Sequence, residues 1–172
     1  MYSLVFGILL PLMLLFFTVY WSIKNGIGPM PSSRKQKQLM IRSIPGDMEG
    51  SIFELGSGWG SLAFLAARRF PQCRIIGYEN SPIPFLFSKI IYRSSNLRYE
   101  RKDFLHVSLS GAAVILCYLY PGGMERLKPK LETELKPRSW IITNTFAVPG
   151  WQPHAVAEVN DVYRSKIYVY KL

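Results

Sequence analysis

Hydrophobic and polar positions divide the chain into an apolar N-terminal segment and a longer part in which short apolar runs alternate with mixed ones. Residues 1–23 contain no charged side chain. This length suits a helix of about 20 residues, which crosses a bilayer core. Tyr20 and Trp21 fall at its end, where aromatic side chains favour the membrane interface. We therefore predict a transmembrane helix over 1–23. A cleaved signal peptide is disfavoured, since neither a basic start nor a small-residue cleavage site is present.

The segment 24–45 is predicted to be a basic linker followed by a short helix. Glycines and prolines at 25–33 are typical of a linker, and Ser33 is a suitable N-cap for a helix over 34–43. Cationic side chains that follow the apolar segment favour the cytoplasmic side, so we expect the remaining chain to face the cytoplasm. Five such cations precede the first acid, Asp47: Lys24, Arg34, Lys35, Lys37 and Arg42.

From residue 46 onward the pattern alternates between strands and helices. The run 112–118 is fully apolar, as expected of a central parallel strand, and Asn160-Asp161 indicates a turn within a final hairpin. The domain 46–172 is therefore predicted to be α/β, with helices on both faces of a sheet. The predicted strands are 52–55, 74–79, 97–102, 112–118, 140–146, 155–159 and 166–170, and the predicted helices are 62–69, 85–93 and 124–135.

A glycine-rich loop, ELGSGWG at 54–60, follows the first predicted strand and opens a helix. Glycines let the backbone turn tightly and approach a ligand closely, and a helix N-terminus offers free N–H groups. Glu54 stands directly before the loop, where its carboxylate can meet a cation. Trp59 occupies the helix entrance, and the third glycine comes one residue earlier than in the dinucleotide-binding motif.

Two further acids follow the next predicted strands. Glu79 comes 21 residues after Gly58, a spacing that places a carboxylate on ribose hydroxyls in doubly wound folds. Asp103, with Phe104 beside it, can accept from an adenine amino group while the ring packs on the base. Each acid alone is also typical of a solvated strand end or a turn. Together they lie at the carboxyl edge of the sheet, where such folds bind ligands, and they predict a nucleotide-like cofactor.

The motifs ELGSGWG, GYE at 77–79 and KDF at 102–104 resemble those of the class I S-adenosylmethionine-dependent methyltransferases. The apolar N-terminus, RKDF at 101–104 and PGWQP at 149–153 are similar to the membrane-anchored lysine methyltransferases of mitochondrial ADP/ATP translocase and the ATP synthase c-subunit, and to their small prokaryotic relatives. The resemblance implies a Rossmann-like seven-stranded sheet of order 3-2-1-4-5-7-6 with the last strand antiparallel. It also implies S-adenosyl-L-methionine as the cofactor. The candidate cofactor-binding residues are Glu54, Gly56, Ser57, Gly58, Trp59, Glu79, Asn80, Asp103 and Phe104.

The methyl acceptor is expected near the end of the fourth strand. Tyr118 and Tyr120 are the candidate catalytic residues, because their hydroxyls or ring faces can orient an amine; capping of the sheet is the alternative interpretation. His106 and His154 are candidate bases, although no spacing links either to this site.

The leading hypothesis for function is transfer of a methyl group to a protein lysine at the membrane. The alternatives are a small-molecule or lipid methyltransferase and a non-catalytic cofactor-binding membrane protein. The formal net charge of +10 also suits nucleic acid. Nucleic acid is nevertheless disfavoured as a partner, because much of the positive excess lies beside the apolar segment, where anionic lipid accounts for it. No metal-ligand spacing is visible, and Cys73 and Cys117 are predicted to be buried and reduced.

Overall fold

The chain forms two compact units, Met1–Met30 and Pro31–Leu172. In the first unit the described residues are helical, and among all the residues that the structure describes no helix is long and apolar enough to cross a membrane. More than half of the predicted transmembrane segment lies outside the described residues, so this segment stays a prediction. The computed structural model describes residues 32–172 and, before them, 7–9, 11–13, 15, 16, 19 and 20.

The second unit consists of a seven-stranded sheet with helices in the connections between its strands. The strands are β1 (Ser51–Leu55), β2 (Arg74–Tyr78), β3 (Leu97–Glu100), β4 (Ala112–Cys117), β5 (Trp140–Asn144), β6 (Ala155–Glu158) and β7 (Lys166–Lys171). The helices of this unit are α1 (Arg34–Arg42), α2 (Ser61–Arg69), α3 (Pro82–Ile91) and α4 (Pro121–Glu134), with a 3₁₀ turn at Phe104–His106.

The strand order is β3-β2-β1-β4-β5-β7-β6, which confirms the order implied by the resemblance. The first five strands are parallel, and β7 runs antiparallel between β5 and β6. Leu55 pairs with both Tyr78 and Cys117, so β1, β2 and β4 end at the same level. The chain order reverses between β1 and β4, and a crevice outside the carboxyl ends of the strands is expected at such a point.

Helix α1 belongs to the second unit and begins at the predicted N-cap. Ser33 Oγ accepts a hydrogen bond from the Gln36 N–H at 3.2 Å, and Gln36 Oε1 accepts from the Ser33 N–H at 2.7 Å. This reciprocal pair is a capping box, which satisfies two of the free donors at the helix start. Met40 of α1 is fully buried in the same hydrophobic cluster as Ile52 of β1. Burial of apolar side chains thus fixes α1 against the domain.

A single amide, that of Asn96, closes the end of helix α2. Its Nδ2 donates to the carbonyl oxygens of Ala67, Phe70 and Cys73 at 3.0–3.1 Å. The last carbonyls of a helix have no partner within the helix, so this side chain supplies donors that the backbone lacks there. Cys73 and Cys117 are both free and buried, as predicted.

Several predicted boundaries were wrong by two or three residues: β3 ends at Glu100 and not at residue 102, α3 ends at Ile91 and not at residue 93, and three others have a clear physical cause. Helices α3 and α4 begin three residues earlier than expected because Pro82 and Pro121 occupy the first helical position, where a missing N–H costs nothing. Strand β5 ends at Asn144 and not at residue 146 because the chain turns at Thr145, which has φ +66°. A β-branched residue rarely adopts this conformation, so the sequence gives no signal for the turn.

Candidate active site

The glycine loop lies at the carboxyl end of β1 and is tied to β2. The N–H groups of Gly56 and Ser57 both donate to the carbonyl oxygen of Tyr78, each at 2.9 Å. Gly56 has φ +72° and Gly58 has φ +53°, conformations that glycine adopts without the steric cost of a side chain. The loop therefore folds back over the end of the neighbouring strand β2. Its backbone lies at the sheet edge where the chain order reverses between β1 and β4.

One end of this loop is tightly packed, whereas its middle is open. A Cβ added at Gly60 would lie 2.5 Å from Ser88 Cβ and 2.7 Å from the Tyr99 hydroxyl. That hydroxyl donates to the Gly60 carbonyl oxygen at 2.6 Å. A Cβ added at Gly58 would meet nothing within 4 Å. The fold thus anchors the loop at Gly60 and leaves free space beside Gly58, as close approach of a ligand requires.

Glu54 is a buried acid at the end of β1. Its side chain is 6% exposed, and its Oε2 accepts a hydrogen bond from the Ala63 N–H at 2.8 Å. Burial, with a smaller contribution from Glu79, raises the pKa of Glu54 to about 8, against the lowering effects of the Ala63 N–H and Lys37. The carboxyl group is therefore mostly protonated at neutral pH in the free protein. A cation placed beside it would favour the ionised form.

Glu79 follows β2 and is 7% exposed. Its Oε2 accepts from the Gly58 N–H and its Oε1 from the Ser81 N–H, both at 2.7 Å. A carboxylate oxygen has two acceptor directions, so each oxygen keeps one that these backbone donors do not use. The fixed carboxylate is suited to accept from a pair of hydroxyl groups.

Ser57 provides an independent sign of a missing partner. Its hydroxyl is buried, and in the part of the chain that the structure describes it is the one buried side-chain oxygen or nitrogen without a hydrogen bond. Buried polar atoms are almost always paired in folded proteins. A polar group of a ligand in the open middle of the loop could pair with it only if the side chain turned away from Gly77, beside which it lies.

The remaining predicted cofactor residues lie around the same edge. Asp103 is half-buried and its Oδ1 accepts from the Leu105 N–H at 2.9 Å, which caps the turn that Phe104 begins. Asn80 directly follows Glu79 and is half-buried. Trp59 is 38% exposed, and its ring packs edge-on against Phe87 with centroids 5.1 Å apart. Contact of these side chains with the cofactor stays a prediction.

Tyr118 and Tyr120 follow the adjacent strand β4, as predicted, and both are half-buried. The Tyr118 ring stacks on Phe146 with centroids 6.4 Å apart and 20° between the planes. Tyr120 is the N-cap of α4, and a Cβ added at Gly122 would lie 2.8 Å from its ring. Glycine at position 122 therefore avoids a steric overlap and lets the Tyr120 ring lie beside the start of the helix.

An unpredicted turn brings Phe146 to this edge. Thr143 Oγ1 donates to the Phe146 carbonyl oxygen at 2.6 Å, and the Phe146 N–H donates to the Asn144 carbonyl oxygen at 2.7 Å. Asn144 is fully buried, and its Nδ2 donates to Ser32 Oγ at 3.2 Å. The strained Thr145 is held between these contacts, and such strain is concentrated at functional sites.

Of the two candidate bases, His154 lies away from this edge and His106 lies beside Asp103. His154 packs against Trp140, with ring centroids 5.6 Å apart. Trp140 is the first residue of β5 and so lies at the opposite edge of the sheet. His106 is exposed at the end of the 3₁₀ turn. In residues 32–172 and the described helical positions before them, no group of three His, Cys, Asp or Glu side chains is placed to hold a metal ion.

The strand order, the open glycine loop and the flanking acids define a class of protein: the chain is an S-adenosylmethionine-dependent methyltransferase. The site fits this cofactor, since it offers an acid for an ammonium group, a fixed carboxylate for hydroxyls and the unpaired Ser57 hydroxyl. Residues 54–155 match the model of the ANTKMT methyltransferase domain, and the chain belongs to that family.

Two curated relatives are lysine methyltransferases. A protein-lysine N-methyltransferase of Saccharolobus islandicus (strain REY15A) is 29% identical over 136 residues, which are 77% of this chain and 84% of the relative. The adenine nucleotide translocase lysine N-methyltransferase of Mus musculus is 32% identical over 121 residues, or 68% of this chain. The match spans about half, 51%, of the mouse protein.

Solved structures share the fold at lower identity. An RNA methyltransferase from Salinibacter ruber, in complex with S-adenosyl-L-homocysteine, has a TM-score of 0.74 at 22% identity, over 83% of this chain and 93% of that chain. The N-methyltransferase NodS from Bradyrhizobium japonicum WM9, also with S-adenosyl-L-homocysteine, has a TM-score of 0.66 at 12% identity, over 80% and 86% of the two chains. These similarities establish the fold alone.

Proposed function

We propose that this methyltransferase modifies a lysine side chain of a membrane protein. The observation that carries the proposal is the similarity to a protein-lysine N-methyltransferase over 84% of that relative's length. The name of the mouse relative gives adenine nucleotide translocase as its substrate. The aromatic pair beside the glycine loop supports an amine as the acceptor, because aromatic faces and hydroxyls both contact amino groups favourably.

The residues at this edge have separate tasks in such a reaction. S-adenosyl-L-methionine supplies an activated methyl group when bound, so the protein mainly aligns the acceptor and excludes water. Glu54 would hold the ammonium group of the cofactor, and Glu79 would hold its ribose hydroxyls. The stacked Tyr118 and Phe146 would bury the lysine amine, and burial lowers the pKa of an ammonium group toward the reactive neutral form.

The Tyr118 hydroxyl is the most direct test of acceptor orientation. Tyr118→Phe keeps the ring that stacks on Phe146 and removes only the hydroxyl. We expect kcat to fall about tenfold, equivalent to about 1.4 kcal/mol, with an unchanged dissociation constant for the cofactor. Tyr163→Phe is the matched control, because Tyr163 is 88% exposed. Equal kcat values for both variants would refute a role for the Tyr118 hydroxyl.

The nature of the acceptor is tested by labelling. The full-length chain and radiolabelled cofactor are incubated with membranes, and methylated peptides are identified by mass spectrometry. We expect label on lysine in membrane proteins, which disappears with Glu79→Ala enzyme. Label only in lipids or soluble metabolites would replace this proposal with a lipid or small-molecule methyltransferase.

We further propose that residues 1–23 cross the membrane and that the catalytic domain faces the cytoplasm. The support is the uncharged segment followed by five cations, the pattern of a cytoplasmic flank. An anchor would restrict enzyme and substrate to one surface and so raise their effective concentration. The full chain should stay with membranes during carbonate extraction. Release by high salt would instead indicate electrostatic attachment.

A further inference from the structure

Helix α3 exposes most of its apolar side chains. Ser88 is the one fully buried residue among Pro82–Ile91, and Phe85 is partly buried against the core, so only one narrow side of this helix packs on the domain. Scattered exposed apolar residues are ordinary, but a contiguous group marks an interaction surface. Four large side chains of α3 are between 41% and 56% exposed: Leu86, Phe87, Ile90 and Ile91.

This surface continues onto the glycine loop. Trp59 is 38% exposed and contacts Phe87 edge-on. Leu86 and Ile90 are four residues apart, as are Phe87 and Ile91, so each pair lies on the same side of the helix. We call Trp59, Leu86, Phe87, Ile90 and Ile91 the α3 patch.

The exposed charge on and after helix α3 is positive. Residues 80–99 contain three cations, Lys89, Arg93 and Arg98; the acids on either side are Glu79, which is buried and bound by backbone N–H groups, and Glu100, which pairs with Lys102 at 2.8 Å. Lys89 is exposed, with Nζ 5.8 Å from the Phe85 ring centroid, and Arg93 is exposed two residues beyond the end of the helix. On the adjacent helix, Arg68 Cζ lies 5.9 Å from the Phe64 ring centroid. The apolar surface is therefore flanked by positive charge.

We propose that the α3 patch lies on the surface of an anionic lipid bilayer. An exposed apolar helical face with Trp, Phe and Leu side chains and flanking Lys and Arg binds at the boundary between headgroups and acyl chains, and each cation near an anionic leaflet adds attraction. A second copy of the chain suits the surface less, because a two-fold contact would bring the same cations together. The inference rests on neither the N-terminal segment nor the nature of the methyl acceptor.

Contact with lipid would orient the active site. Helix α3 begins four residues after Tyr78, at the carboxyl edge of β2, and Trp59 belongs to the cofactor loop itself. A bilayer on the α3 patch therefore brings the methyl-transfer edge of the sheet close to the headgroups.

The test measures the depth of one position in the full-length chain. Ile90→Cys is labelled with a fluorophore sensitive to its environment; the native Cys73 and Cys117, 1% and 0% exposed, are shielded from the reagent. With vesicles containing phosphatidylserine we expect a blue-shifted emission and quenching by a lipid-attached quencher. The same label on Val162→Cys, a position 95% exposed, should keep aqueous emission.

Charge reversal tests whether the cations beside the α3 patch contribute to its contact with the anionic bilayer. Lys89→Glu with Arg93→Glu should return the label at position 90 to aqueous emission, whereas Lys136→Glu with Lys166→Glu, exposed and outside the patch, should not. Aqueous emission at position 90 in unreversed protein that sediments with the vesicles overturns the proposal. A blue shift that depends on protein concentration without lipid would show self-association instead. Carbonate extraction, measured separately, reports only on the N-terminal anchor.

Discussion

The raised pKa of Glu54 predicts that cofactor binding is coupled to the release of a proton. Its pKa is raised to about 8 by burial in the free protein, and a neighbouring ammonium group would lower that value in the complex. Binding therefore removes a proton from Glu54 at any pH between the two values. The affinity for the cofactor should rise as the pH rises toward 8.

The size of the effect follows from the ionised fraction of Glu54. Below pH 8 this fraction increases about tenfold per pH unit, so the dissociation constant should fall about 30-fold between pH 5.5 and 7.0, or about 2 kcal/mol. An α-amino group of pKa about 7.7–8.0 is still protonated in this window, so the ligand's own titration contributes little.

Isothermal titration calorimetry measures both quantities. Repeating the titration at pH 6.5 in two buffers of different ionisation enthalpy should show release of about one proton per cofactor. Glu54→Gln keeps an oxygen that accepts from the Ala63 N–H but cannot ionise, so its affinity should not vary with pH. A wild-type affinity that is flat across the window, or a Gln variant with the same slope, would refute the role of Glu54.

Three further predictions concern stability and binding. Glu54→Gln should raise the melting temperature at pH 8 but not at pH 4.5. The raised pKa of buried Glu54 contributes stability that is fully present below the unfolded pKa and is lost as the pH rises toward 8, on the order of 4–5 kcal/mol in all. Gly60→Ala should cost about 2–4 kcal/mol by denaturant unfolding, whereas Gly58→Ala, which has open space around it but φ +53°, should cost about 1 kcal/mol from the left-handed backbone and should also lose cofactor affinity. Glu79→Ala should abolish most of the cofactor-induced rise in melting temperature, while exposed Glu158→Ala should leave it intact.

The position of the acids was accessible from sequence because it depends on local patterns, whereas the strand order came from the resemblance to class I methyltransferases. The apolar run 112–118 and the glycine loop are signals within one segment, and parallel strands bring the residues that follow them to one edge. The position of Phe146 could not be predicted from the sequence. The turn that places it depends on Thr145 at φ +66°, which is held by contacts formed only in the folded chain.

The pKa of Glu54 and the hydrogen bonds of Glu79 could not be predicted from the sequence either. The motif indicates an acid before the loop, but the 6% exposure of Glu54, which sets its pKa, comes from packing of several segments. The backbone donors to Glu79 belong to Gly58, 21 residues earlier, and to Ser81, two residues later. The first of these contacts exists only once β1 and β2 are paired.

The single amide of Asn96 holds three contacts that one covalent change would remove together. Its NH₂ group is surrounded by the carbonyl oxygens of Ala67, Phe70 and Cys73. Hydrolysis of that amide would convert it to a carboxylate, which cannot donate a hydrogen bond when ionised. The new oxygen would face three carbonyl oxygens, so all three hydrogen bonds would be replaced by repulsion. A single deamidation would therefore release the end of α2 from the start of β3, and the change would be recorded as a mass increase of about one dalton together with early loss of the fold on heating.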